Sequence, residues 1–154
     1  MAATPNDRNT IIQILKESHT VAVVGLSPDP DRASYEVAEF LQQRGYRIIP
    51  VNPNVSEILG ARSYPDLVSI PEPVDVVDIF RRPEAVPSIV DQAIQIGAKA
   101  VWMQEGVENA EAATKARASR LLVVMDHCMK KEIRRLIEEG VLVPTGPQPS
   151  LPQG

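Results

Sequence analysis

The stretch VAVVGLSPDPDRAS, residues 21–34, decides the fold. Its first half is a β-branched apolar run, too short for a buried helix and without polar alternation. Such a run reads as a strand buried on both faces of a parallel sheet. Its second half is a polar loop that leads straight into helical periodicity, so the whole reads as the first half of a βαβ unit. Outward from it lie four more short runs: RIIPV (47–51), VDVVDIF (74–80), KAVWM (99–103) and LLVVM (121–125). Only VDVVDIF interrupts its apolar character, with Asp75 and Asp78.

Amphipathic segments separate the runs. Residues 34–44 place Val37, Ala38 and Leu41 on one stripe, with Ser34 as candidate N-cap and Gly45 beyond the end. Residues 86–96 repeat the pattern with Ile89, Val90, Ala93 and Ile94, with Pro87 in the first turn. Residues 107–118 are Ala-rich, and residues 129–139 align Met129, Ile133 and Leu136. A further helix over 8–17, with Ile11, Ile12 and Leu15, precedes the first strand. The pattern predicts an α/β protein with an open parallel five-stranded sheet flanked by helices and joined by right-handed crossovers. Residues 52–73, with Pro53, Pro65, Pro71 and Pro73, read as an irregular crossover with at most a short strand or helical turn. The expected domain is 1–140, and 141–154 reads as a Pro-rich disordered tail.

Composition narrows the function. At 154 residues, 44% hydrophobic and 23% charged, the chain has the make-up of one ordinary domain. A net charge of −4 and 4% aromatics argue against a nucleic-acid partner. No apolar run reaches the ~20 residues that span a bilayer, and the N-terminal segment lacks a signal-peptide core, so no membrane role is expected. A single cysteine, Cys128, excludes an internal disulfide and points to the cytoplasm.

In an open parallel sheet ligands sit beyond the carboxyl ends of the strands. The candidate loop is Gly25 to Ser34, where Gly25 allows close backbone approach, Ser27 and Ser34 carry hydroxyls and Arg32 carries a cationic fork. It opens a helix, whose N-terminus favours phosphate. The same residues also fit a proline-stiffened surface loop. The G-x-G-x-x-G fingerprint is missing, and the second strand ends Val51-Asn52 instead of in an acid, so NAD is disfavoured. No G-x-x-x-x-G-K-[ST] stretch is present to hold ATP.

Taken in order, VAVVGLSPDPDRAS, GYRIIPVNP, VDVVDIFRRPE, AKAVWMQEGV and VVMDHC resemble the small stand-alone CoA-binding proteins. These are similar to the N-terminal Rossmann-like domain of the succinyl-CoA synthetase α subunit. The resemblance runs over roughly residues 10–137 and implies a three-layer Rossmann-like fold and coenzyme A as ligand. It implies that Gly25, Leu26, Ser27, Arg32 and Ser34 cradle the phosphates, and that Asn52 and Pro53 wall the adenine and ribose end. Phe80 and Arg81 would close the third strand's end, and Trp102, Gln104, Glu105 and Gly106 would border the pantetheine path. Two positions depart from the family pattern. Arg120 stands where a Gly is usual, and Asp126-His127-Cys128 replaces Asp-Arg-Cys, which leaves Lys130, Arg134 or Arg135 to supply a missing cation.

Asp126-His127-Cys128 also invites a catalytic reading, in which the following helix lowers the Cys128 pKa. The competing reading makes Cys128 a packed strand-end residue. A metal centre is not expected from one Cys and two His. Asp75 and Asp78, three apart, fall on opposite strand faces and form no carboxylate pair. Asp78 needs a partner if buried. Neither His19 nor His127 corresponds to the phosphate-carrying histidine of the synthetase, so ligation is not expected. The expected function is non-catalytic binding, carriage or sensing of coenzyme A or an acyl-CoA, with a homodimer possible. The alternatives are an NAD(P)- or CoA-dependent oxidoreductase or transferase using Cys128 or Glu105, and a protein-interaction module with a vestigial site.

Overall fold

The computed structural model describes residues 7–144. Five strands form one parallel sheet: β1 (Thr20–Val24), β2 (Arg47–Val51), β5 (Val76–Ile79), β6 (Ala100–Met103) and β7 (Leu122–Val124). Their order is β2-β1-β5-β6-β7. Strands β3 (Glu57–Ile58) and β4 (Ala61–Arg62) make a small antiparallel hairpin inside the irregular crossover, which also holds a 3-10 turn at Leu67–Ser69. Residues 52–73 therefore contain short elements and no regular helix, as their prolines require.

Alternate residues of each strand feed two separate cores. Ala22, Ile49, Val77, Ile79, Val101 and Val123 pack with α3 (Val86–Gln95) and α4 (Ala110–Ala118). Val21, Val23, Ile48, Val76, Trp102 and Val124 pack with α1 (Arg8–Glu17), α2 (Ala33–Gln43) and α5 (Met129–Glu138). The result is the three-layer Rossmann-like architecture. Among the described residues no helix is long and apolar enough to cross a membrane.

The elements open and close on local chemistry. Asp7 caps α1 by accepting from the Thr10 N–H, and Asn109 caps α4 by accepting from Ala112. Helix α2 begins one residue earlier than its composition indicates. Arg32 occupies the N-cap, no side chain caps it, and Ser34 lies inside the first turn. At the amino end of the sheet, Asp75 Oδ2 accepts from the His19 and Thr20 N–H groups at 2.8 and 2.9 Å, fixing β1 beside β5. Beyond α5 the chain turns back and buries Leu142 in the core. Most of the expected tail, residues 145–154, lies outside the described residues.

Candidate functional site

Strand order reverses between β1 and β5, since α2 leads from β1 to one side and α3 from β5 to the other. At this switch point the carboxyl ends of the strands enclose a cavity of ≈430 Å³. Its walls are Gly25, Ser27, Arg32, Ala33, Ser34, Phe80, Gln104, Glu105 and Val107. Seven of the thirteen residues expected at the ligand thus share one cavity; Ala33 and Val107 were not expected.

The first wall is the β1–α2 loop. Gly25 has φ +86, and a Cβ there would lie 2.3 Å from the Phe80 carbonyl oxygen. The close approach that demands glycine is therefore to the end of β5, which brings the two loops of the switch point together. Ser34 Oγ accepts from the Ser27 N–H at 3.0 Å, and Ser27 Oγ accepts from the Asp29 N–H at 3.0 Å. Both hydroxyls act here as acceptors, which leaves their O–H groups to donate. The open N–H groups of α2 and the Arg32 guanidinium stand beside them. Among the described residues Arg32 has no ion-pair partner. Hydroxyls, backbone N–H groups and a cation on one wall form a donor set suited to an anionic, oxygen-rich ligand.

The opposite wall is the loop after β6. Glu105 pairs with Lys131 Nζ at 2.9 Å, so α5 brings a cation to the rim at a residue the sequence did not single out. Both side chains of that pair are largely exposed. Of the cations weighed as substitutes near His127, Lys130 is bound to Glu36 at 2.8 Å and Arg135 to Glu132. Asp126, with φ +57, accepts from the Gly106 N–H at 2.7 Å and donates its own N–H to Val107 at 3.1 Å, bracing the loop. Below the rim, Gln104 Nε2 contacts Asp78 Oδ1 at 2.6 Å.

Several expected contacts fall elsewhere. Leu26 and Trp102 are both 0% exposed, packed into the α1/α2/α5 core, so neither side chain reaches the cavity. The Trp102 indole N–H donates to the His127 carbonyl at 2.8 Å, which ties β6 to the loop after β7. Asn52 braces the corner, donating to the Leu26 carbonyl at 2.9 Å and accepting from Asn54 at 2.8 Å. Pro53 is exposed beside it, Gly106 serves the Asp126 clasp, and Arg81 lines a smaller cavity of ≈170 Å³ on the α3 face. Cys128 is the N-cap of α5, yet its thiol is held above the usual range. Burial raises it first, Glu105 and Asp78 add to the rise, and the N–H groups of Lys130 and Lys131 only partly oppose them. The expectation of a helix-activated thiolate is therefore corrected. A second cavity of ≈460 Å³ lies at the outer edge of β2, towards its amino end and away from the carboxyl ends of the strands. Its cations are engaged, Arg47 with Glu72 and Arg62 over the Tyr64 ring.

The chain is similar to several known proteins. The CoA binding domain family matches residues 19–134. The uncharacterized protein YneT of Bacillus subtilis is 41% identical over 120 residues, covering 78% of this chain and 89% of YneT. A hypothetical protein from Pyrococcus horikoshii superposes with a TM-score of 0.83 at 38% identity, covering 89% of this chain and 99% of that one. An ADP-forming acetate–CoA ligase of Archaeoglobus fulgidus is 32% identical over 100 residues, which are 60% of this chain but 15% of the ligase.

Proposed function

The chain belongs to the CoA-binding domain family, and from that premise we propose that it binds coenzyme A or an acyl-CoA in the switch-point cavity. The observation that carries the reading is the convergence of the uncapped α2 N-terminus, the Ser27 and Ser34 hydroxyls and the unpaired Arg32 on one wall. Phosphates bind such a wall through N–H and O–H donation and through charge. Arg32 takes a phosphate group, and Glu105 with Lys131 lines the way outward to the thiol end.

The role is binding, carriage or sensing without a reaction of its own. Glu105 is tied in an ion pair, and Cys128 is protonated at neutral pH, so neither is poised as a base or nucleophile. The ligase relative is mostly other sequence, and its activity does not follow from the 15% that matches. NAD is disfavoured because Asn52 holds the loop corner where an acid would meet a ribose hydroxyl. A free Cys128 fits the reducing cytoplasm.

Isothermal titration tests the reading. Coenzyme A should bind with 1:1 stoichiometry, and Arg32→Ala should weaken it at least ~tenfold, the loss of one charge-assisted contact of ~1.5–3 kcal/mol. Equal affinity in wild type and Arg32→Ala would remove the phosphate assignment.

A further inference from the structure

A carboxyl group beneath the cavity is left unused by this reading. Asp78 lies in the central strand β5, fully buried, with Val23 of β1 and Trp102 of β6 as its register partners. Among the described residues its Oδ2 has no hydrogen-bond partner. Its Oδ1 meets only the head group of Gln104, a cavity-lining residue, at 2.6 Å. A buried carboxylate with one donor and one bare oxygen is expensive, and a proton relieves it. The 2.6 Å separation is also the length of an O–H···O bond, short of the ~2.7–3.2 Å usual for N–H···O. Which atom of a glutamine amide faces a partner is decided by the network around it.

We propose that Asp78 holds a proton when ligand binds, and that this proton turns the Gln104 amide so that its N–H groups face an oxygen of coenzyme A. The inference rests on the coenzyme A reading above. With Asp78 protonated, its O–H donates to Gln104 Oε1, and Nε2 is free to donate into the cavity. With Asp78 ionised, Nε2 must turn back to the carboxylate, and the cavity meets Oε1, which repels a phosphoryl or carbonyl oxygen. Asp78 is thus a positioning residue that touches no ligand itself.

The surroundings leave Asp78 as the group that titrates. Its register partners carry no charge. At the N-cap of α5 stands Cys128, which feels Asp78 and Glu105 electrostatically. Glu105 is paired with Lys131, and from α2 Glu36 is paired with Lys130 while Arg32 faces the cavity. Burial pushes the Asp78 carboxyl up to about 8, opposed only by the Gln104 contact.

The test is the pH dependence of acetyl-CoA binding, measured by titration calorimetry from pH 6 to 9.5 in a Cys128→Ser background, so that no thiol titrates. The Kd should be level below pH ~7 and rise towards ~tenfold per unit above ~8, as the competent fraction falls. Asp78→Asn, neutral at every pH, should abolish the rise. The same rise with adenosine 3′,5′-bisphosphate assigns the oxygen to a phosphate; a rise with acetyl-CoA alone assigns it to the pantetheine arm. In parallel, the Asp78 carboxyl carbon of the ligand-free protein, followed by NMR, should titrate near 8. A carboxyl midpoint near the ordinary ~3.9, or a rise that survives Asp78→Asn, overturns the inference while leaving coenzyme A binding intact. No binding at any pH overturns the function on which it rests.

Discussion

One aspartate lies just before strand β5 and another within it, towards opposite ends of the sheet, and the two live in opposite circumstances. Asp75, at the amino end, accepts from two backbone N–H groups and lies 3.7 Å from Lys99 Nζ. Asp78, one turn of the pleat further towards the carboxyl end, is sealed in the core with one oxygen bare. At the amino end both backbone N–H groups that open β1 are answered by one carboxylate, which helps hold β1 and β5 in register. The carboxyl end leaves donors and acceptors open: the α2 N–H groups, Arg32 and the Asp78–Gln104 pair. A carboxylate answered by backbone N–H groups supports the fold, and one left with a bare oxygen does not.

Substitutions break or sharpen this contrast. The largest effect is expected where the carboxyl-end loops meet. Gly25→Ala forces a Cβ against the Phe80 carbonyl at positive φ and should destabilise by ~3 kcal/mol or more, lowering Tm by roughly 10 °C. Gly106→Ala is its control, since it shares the positive φ but meets open space, and should cost only ~1 kcal/mol. Equal losses at both sites would show that strain alone, not loop contact, requires Gly25.

The aspartates themselves should respond with opposite signs. Asp75→Ala strands the Thr20 and His19 N–H groups and should cost ~2 kcal/mol by urea denaturation. Asp78→Asn should stabilise at alkaline pH. A carboxyl raised to about 8 when folded supports the fold fully below its unfolded pKa of ~3.9, and that support is lost as pH rises towards 8. The slope can reach ~1.4 kcal/mol per pH unit, so the gain from Asp78→Asn should be at least ~2 kcal/mol larger at pH 8 than at pH 5. A gain independent of pH would place the benefit in packing and not in the proton.

The smallest effect is away from both ends of the comparison. Arg120 terminates α4 at φ +68, a conformation that suits glycine. Arg120→Gly should raise stability by ~0.5–1 kcal/mol, seen as a small rise in Tm with no change in ligand affinity. A change in affinity would join this surface cap to the site.

Much of this was legible in the sequence because parallel strands covered on both faces write themselves as apolar runs. VAVVGL and RIIPV give β1 and β2 to within a residue or two, and the loops after the runs give the cavity's location. What the sequence could not supply is which side chain turns inward. Trp102 and Gln104 lie two apart and project to the same side, yet Trp102 is covered by helices and Gln104 stands just past the strand end, at the cavity. Spacing alone cannot separate them. Asp78 stood out as a carboxylate within an apolar run, but its partner is 26 residues away and depends on the β5–β6 register. The Lys131–Glu105 pair is long-range in the same way. The helix expected to activate Cys128 is present, and burial outweighs it.

The most direct test of the central claim is thermal unfolding of the pure protein with coenzyme A, acetyl-CoA, NAD and NADP in parallel. A ligand at a hundred times its Kd stabilises by ~2.7 kcal/mol, a shift of roughly 5–10 °C for a domain of this size. The account predicts that shift with coenzyme A or acetyl-CoA, its reduction to about half or less in Arg32→Ala, and no shift with either dinucleotide. A shift with NAD, or none with coenzyme A, would contradict it.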